Sequence, residues 1–145
     1  MRTHGQDGFT LMELLVVILI ITILGSVVGV KLVGKPHEAR YAAAVAQLKN
    51  FETALKLYQM DNGGYPTQRQ GLQALVRPAT LDPKPRKFPP DGYLEKSELP
   101  IDPWKNPYVY LIPGSNGEPY EILSYGRDGN PGGEGEDADV STSSH

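Results

Sequence analysis

The chain has 145 residues, room for one domain, and a formal net charge of −3. It has no cysteine, so no disulfide holds it, and its charges form no basic patch that suggests nucleic-acid binding. Its three histidines stand at positions 4, 37 and 145, and no grouping of nucleophile and base suggests an enzyme.

From Phe9 to Val30 the sequence FTLMELLVVILIITILGSVVGV holds one charged side chain, Glu13. As a helix these residues reach roughly 33 Å, enough for the core of a bilayer. A charge at the centre of a membrane helix costs about 2.5–3.5 kcal/mol, somewhat less near an end, and such a residue ordinarily has a partner. The polar stretch MRTHGQD ends at Gly8, directly against the apolar run. A cut after Gly8 leaves the helix on the mature chain and creates an amine on Phe9, one helical turn from Glu13. A secretory signal peptide instead needs a small-residue site after the apolar run, where Gly25-Ser26 is a poor match. Two readings stand. Either the carboxylate meets a cation made by cleavage, or the segment is a plain signal anchor whose Glu13 snorkels to the interface.

The order Gly8-Phe9-Thr10-Leu11-Met12-Glu13, leading straight into an apolar helix, resembles the class III signal of type IV pilins and type II secretion pseudopilins. That resemblance implies a prepilin peptidase that cuts between Gly8 and Phe9 and N-methylates Phe9. It also implies that Glu13 pairs with the terminal amine of a neighbouring subunit in a helical filament. Residues 1–8 are then a leader and 9–33 a transmembrane and filament-core helix, with the N-terminus in the cytoplasm. The flanking charges point the other way, since Arg2 precedes the span while Lys31 and Lys35 follow it.

Residues 34–62 are expected to form an amphipathic helix running into the head, residues 63–145. Pro36 predicts a kink or a soft joint after Gly34. From His37 to Asn62 the period is helical, with Tyr41, Ala44, Val45, Leu48, Phe51, Leu55 and Tyr58 on one face. Ala39, Ala42, Ala46, Thr53, Leu57 and Met60 form a second stripe nearly opposite. A surface helix needs one stripe. The second is either a face for neighbouring helices or burial on both sides within one domain. Gly63-Gly64 ends the helix, and Thr67 caps a short helix over 68–76.

Twelve of the 13 prolines follow residue 65, and 77–103 reads as a long loop that a filament subunit would offer to its neighbours. Residues 108–112 (YVYLI) and 120–125 (YEILSY), turned by Pro113-Gly114 and Asn116-Gly117, read as a β-hairpin. A third short strand comes from the extreme C-terminal segment or from the loop. One face of this sheet should cover Phe51, Leu55 and Tyr58, with Trp104 packed beside it.

Residues 126–145 carry five acidic side chains, Asp128, Glu134, Glu136, Asp137 and Asp139, against Arg127 alone. Interleaved glycines permit a tight bend, and calcium takes about six to eight hard oxygens from carboxylates and carbonyls. A solvated acidic tail is the other reading. The spacing is not that of an EF-hand, which would place its fifth position at Gly132 and a glutamate at its twelfth.

Four further runs narrow the resemblance: DNGGYPT at 61–67, QGLQAL at 70–75, DPWKNPY at 102–108 and SYGRDG at 124–129. With the N-terminal motif they look like the major pseudopilin of type II secretion systems, from Gly8 to about Val140. The resemblance implies an α+β, type IV pilin-like fold: a long N-terminal helix packed on a small antiparallel sheet, closed by a C-terminal calcium loop. The calcium ligands it implies are the Tyr125 carbonyl and the Asp128 side chain, with Asp137 and Asp139 on the return limb and Val140 adding a carbonyl. The ion would stand in for a disulfide.

The implied role is structural, with no catalysis. The chain would be a single-pass inner-membrane protein with a periplasmic head. It would polymerise into a pseudopilus that supports export of folded proteins across the outer membrane, alongside minor pseudopilins and an inner-membrane assembly platform. A type IV pilin and a monomeric membrane-anchored calcium-binding domain are the alternatives. Lys105 stands where the family commonly has glycine, Val30 where many type IV pilins carry a kinking proline, and the C-terminal cysteine pair of many true pilins is absent.

Overall fold

The computed structural model describes residues 8–31 and 35–144, with side chains from 8 to 25 and from 36 to 144. The leader up to residue 7 and the joint at Gly34 lie outside what is described, while the backbone of Val30 lies within the first helix. The contacts divide the chain into two compact units, Met1–Pro36 and His37–His145.

In the first unit α1 spans Leu11–Lys31 and passes Gly25 without a break. Thr10 starts it. Its hydroxyl accepts the Glu13 N–H at 3.2 Å, and its carbonyl accepts those of Glu13 and Leu14. Thr-x-x-Glu is the capping-box spacing, so the acid is placed in the first turn by the helix start itself. Every side chain described from 8 to 25 is exposed. Among the described residues no helix is long and apolar enough to cross a membrane. The described side chains of α1 stop at Gly25, and the rest of the expected span lies beyond them.

The second unit is α+β. Helix α2 spans Lys35–Asn62. Pro36 lies in its first turn, where a missing N–H costs nothing, and the helix runs unbroken to Asn62. Gly63 ends α2 at φ 81°, its N–H bonded to the Gln59 carbonyl at 2.7 Å. Strands β1 (Val109–Leu111), β2 (Glu121–Ser124) and β3 (Val140–Ser141) form an antiparallel sheet in that order. The hairpin register pairs Tyr110 with Ile122, and β2 meets β3 with Ser124 opposite Val140. The third strand therefore comes from the C-terminal segment.

The expected core face is where the sheet packs. Ala44, Leu48, Phe51, Leu55 and Tyr58 are buried with Tyr108, Tyr110, Ile122 and Val140. The Phe51 and Tyr108 rings meet edge to face at 5.1 Å. Tyr41, expected on this face, is 39% exposed, and Trp104 is half-buried against the cluster. All six residues of the second stripe are exposed, Met60 by 80%, so α2 is not buried on both sides within this unit.

The helix expected over 68–76 is broken in two. Thr67 and Gln70 cap each other, the Gln70 N–H reaching the Thr67 hydroxyl and the Thr67 N–H the Gln70 side chain. Gly71 then turns left-handed at φ 61°, and only a 3-10 turn, Leu72–Leu75, follows. The long loop has no helix or strand but is pinned. The Gln70 amide donates to the Leu81 and Pro83 carbonyls, Lys87 N–H reaches Asn62, and the Tyr93 hydroxyl donates to Asp61. The Gln68 side chain accepts the Ile112 N–H and donates to the Tyr110 carbonyl. It caps the outer edge of β1 as a neighbouring strand would.

Candidate functional site

Two places carry the sequence expectations. In the first unit, Gly8 and Phe9 are exposed and lie just ahead of the Thr10 cap, with Glu13 exposed in the first turn. The helix thus begins where a cut after Gly8 would put the new terminus.

In the second unit the acidic loop, residues 125–139, leaves β2 and returns as β3. Close approach fixes its glycines. Gly126 sits at φ 64°, and a Cβ there would stand 2.8 Å from the carbonyl oxygens of Glu136 and Ala138. A Cβ on Gly133 would meet the Asp137 carbonyl at 2.5 Å. The carbonyls of residues 136–138 therefore face these two glycines. A rung joins its limbs, the Arg127 N–H donating to the Glu136 carbonyl at 2.9 Å.

The expected ligands are distributed as follows. Tyr125 is half-buried, one residue after β2. Asp128 accepts the Asn130 N–H through Oδ1 at 3.1 Å. Asp139 accepts the Gly132 N–H through Oδ2 at 2.9 Å. Both oxygens of Asp137 are taken by Arg127, Nε at 3.0 Å and Nη2 at 3.2 Å. Glu136 bridges Arg127 Nη1 at 2.9 Å and Arg40 Nη1, on α2, at 3.1 Å. Val140 is buried in β3. Among the described residues no three or more His, Cys, Asp or Glu side chains group as metal ligands would. The oxygen-only chemistry still suits a hard cation, which draws on carbonyls as readily as carboxylates.

Two buried acids that the sequence reading passed over hold the ends of this loop. Asp102 is 3% exposed. Its Oδ1 accepts the N–H groups of Trp104 and Asn106, and its Oδ2 the Ser124 hydroxyl. Asn106 in turn donates to the Gly126 carbonyl at 2.7 Å. The bond two residues on, to Trp104, is an Asx turn, and Asp ahead of Pro-Trp was the available signal. Within that turn Lys105 adopts φ 76°, in the position suited to glycine. Glu121, at the start of β2, accepts from the Ser115 N–H and from the Ser141 and Ser143 hydroxyls. Those bonds, from Ser115 first and then Ser141, hold its carboxyl down at about 2 against the opposing effect of burial.

Known proteins resemble this chain over most of its length. Residues 31–143 match the family model for type II secretion system (T2SS) protein G, and residues 3–29 match the prokaryotic N-terminal methylation motif. The type II secretion system core protein G of Pseudomonas aeruginosa is 44% identical over 140 residues, covering 97% of this chain and 96% of that one. The protein of the same name from Vibrio cholerae is 44% identical, covering 96% and 92%. The crystal structure of the major pseudopilin from the type 2 secretion system of enterohaemorrhagic Escherichia coli superposes with a TM-score of 0.66 at 37% identity, over 79% of this chain and 95% of that one. The chain belongs to the type II secretion system protein G family and is a pseudopilin, a structural subunit of the pseudopilus.

Proposed function

We propose that the chain is cut after Gly8 by a prepilin peptidase, N-methylated on Phe9, and held by residues 9–33 in the bacterial inner membrane with its head in the periplasm. From there it polymerises into a helical filament that supports export of folded proteins across the outer membrane, together with minor pseudopilins and an inner-membrane assembly platform. The observation that carries this reading is α1 itself. Its described residues are almost all apolar, and every described side chain is exposed, Leu14 by 58% and Ile21 by 63%. Such a helix is stable only against lipid or other apolar helices. Leaving the bilayer costs the burial of these side chains unless neighbouring copies replace the lipid. Glu13 then gains the one cation that processing makes, the Phe9 amine of the next copy.

The exposed second stripe of α2 supports the same reading, because small residues let neighbouring helices approach closely. A monomeric anchored domain would share the apolar helix but has no use for the second stripe or for an acid at Glu13.

Calcium is the ion the acidic loop suits best. Asp128, Asp139 and the carbonyls of Tyr125 and Val140 would hold it, with Asp137 beside them. When bound it supplies charge compensation and a cross-link in a head without disulfides.

The test is Glu13→Ala in cells that overproduce the chain. Mass spectrometry should find the wild-type and the variant both beginning at Phe9, while filaments form from the wild-type alone. Normal filaments from the variant would defeat the pairing argument, and a wild-type chain that still begins at Met1 would defeat the processing.

A further inference from the structure

We propose that Arg127 is a built-in cation of the acidic loop. It takes Asp137 out of the ligand set and clasps the return limb whether or not an ion is bound. The part concerning ligands rests on the calcium reading above; the clasp does not.

The geometry is a doubled cross-link. Arg127 lies on the outgoing limb, and Glu136 and Asp137 on the return limb. The backbone rung from Arg127 to Glu136 is repeated by the side chain of the same residue. Its guanidinium meets both oxygens of Asp137 as a fork, at 3.0 and 3.2 Å. A fork of that kind fills the two positions a bidentate metal would need. The second oxygen of Glu136 reaches Arg40, so the clasp is anchored on α2.

Asp128 and Asp139 differ. Each accepts one backbone N–H on one oxygen, which leaves Asp128 Oδ2 and Asp139 Oδ1 without a hydrogen bond among the described residues. Those two acids, with carbonyls, are the ones free to take an ion. Calcium affinity follows the number of charged ligands. A site that has given one carboxylate to an arginine binds more weakly, and its loop depends less on the ion.

The experiment uses the full chain in detergent micelles, with calcium alone as the probe. Wild-type, Arg127→Ala, Asp137→Asn and the double variant are melted with chelator and with saturating calcium, and calcium binding is followed by calorimetry. Each single variant should lower the metal-free Tm by about 3 °C, the modest loss expected for a half-exposed network. The double variant should melt with Arg127→Ala, since that change already removes the contacts that Asp137→Asn weakens. Asp137→Asn should leave the calcium Kd within about threefold. Arg127→Ala should tighten it about tenfold, because a freed carboxylate joins the site. Additive losses in the double variant overturn the clasp. A tenfold weaker Kd for Asp137→Asn overturns the claim that Asp137 is not a ligand. No calcium binding by any of the four defeats the calcium reading and the ligand claim, and the metal-free melts then decide the clasp alone.

Discussion

Asp102→Ala should be the most damaging single change in the second unit outside its apolar core. The carboxylate is 3% exposed and accepts three hydrogen bonds, including the Trp104 and Asn106 N–H groups at 3.0 and 2.7 Å. The third comes from the Ser124 hydroxyl. Bonds to a charged acceptor contribute about 1.5–3 kcal/mol each, and a buried donor left alone costs about 1–3 kcal/mol. Water entering the vacated space recovers part of this, so the net loss is about 4 kcal/mol. A unit of this size stores only about 5–15 kcal/mol in all. At roughly 4 °C per kcal/mol, the Tm should fall by about 15 °C. Asp102→Asn keeps the volume and one acceptor oxygen, and the Ser124 hydroxyl can turn to accept from the new amide. Its loss should be about 1.5 kcal/mol. Calorimetry of the full chain in detergent and chelator reads both without interference from metal. A Tm for Asp102→Ala within about 3 °C of wild-type, or equal losses for the two variants, would refute the view that Asp102 is a hydrogen-bond hub.

Lys105→Gly should stabilise the protein by about 1 kcal/mol, because Lys105 holds φ 76° where a Cβ is strained, and thermal melting should rise by about 4 °C. A lower Tm would mean that the lysine stem contributes more than its backbone costs. Glu121 gives an acid-side prediction. Its folded pKa, about 2, lies below the ordinary glutamate value, so its contribution is complete above about pH 5 and disappears as pH falls through 4 towards 2. Urea melts between pH 7 and pH 2 should show wild-type losing about 2 kcal/mol more than Glu121→Gln over that window; parallel curves would remove Glu121 as the cause.

Features set by local periodicity were legible from the residues alone. The core stripe of α2 from Ala44 to Tyr58, its Gly63 stop and the hairpin turned at 113–117 follow from spacing and turn chemistry. The buried acids were not, because an Asp or Glu reads as surface until its partners are known. Those of Asp102 and Glu121 lie up to 22 residues away. The same limit hid the Gln68 amide on the β1 edge, which depends on a residue 42 positions distant. The helix at 68–76 failed for the opposite reason: its cap is correct, but Gly71 overrides the cap at once. In the acidic loop the carboxylates and glycines could be read, while the pairing of Arg127 with Asp137 could not. Composition shows one arginine among five acids and does not say which acid it takes.

The two buried acids also set the limits of the acidic loop. Asp102 holds Ser124, the last residue of β2, and through Asn106 it holds the Gly126 carbonyl. Glu121 holds Ser141, the last residue of β3, and Ser143 beyond it. Both feet of the acidic loop are therefore fixed by hydrogen bonds to carboxylates that are not in the loop, and β2–β3 pairing joins the feet to each other. Neither anchor uses a cation. On the calcium reading proposed above, an ion would act on residues 125–139 alone and leave the sheet and α2 in place. This follows from the physics of a head without disulfides. A cross-link outside the core is most effective where the core cannot reach, and here that is a glycine-rich span too polar to pack. Arg127 cross-links that span, while the Phe51–Leu55–Tyr58 face holds the rest.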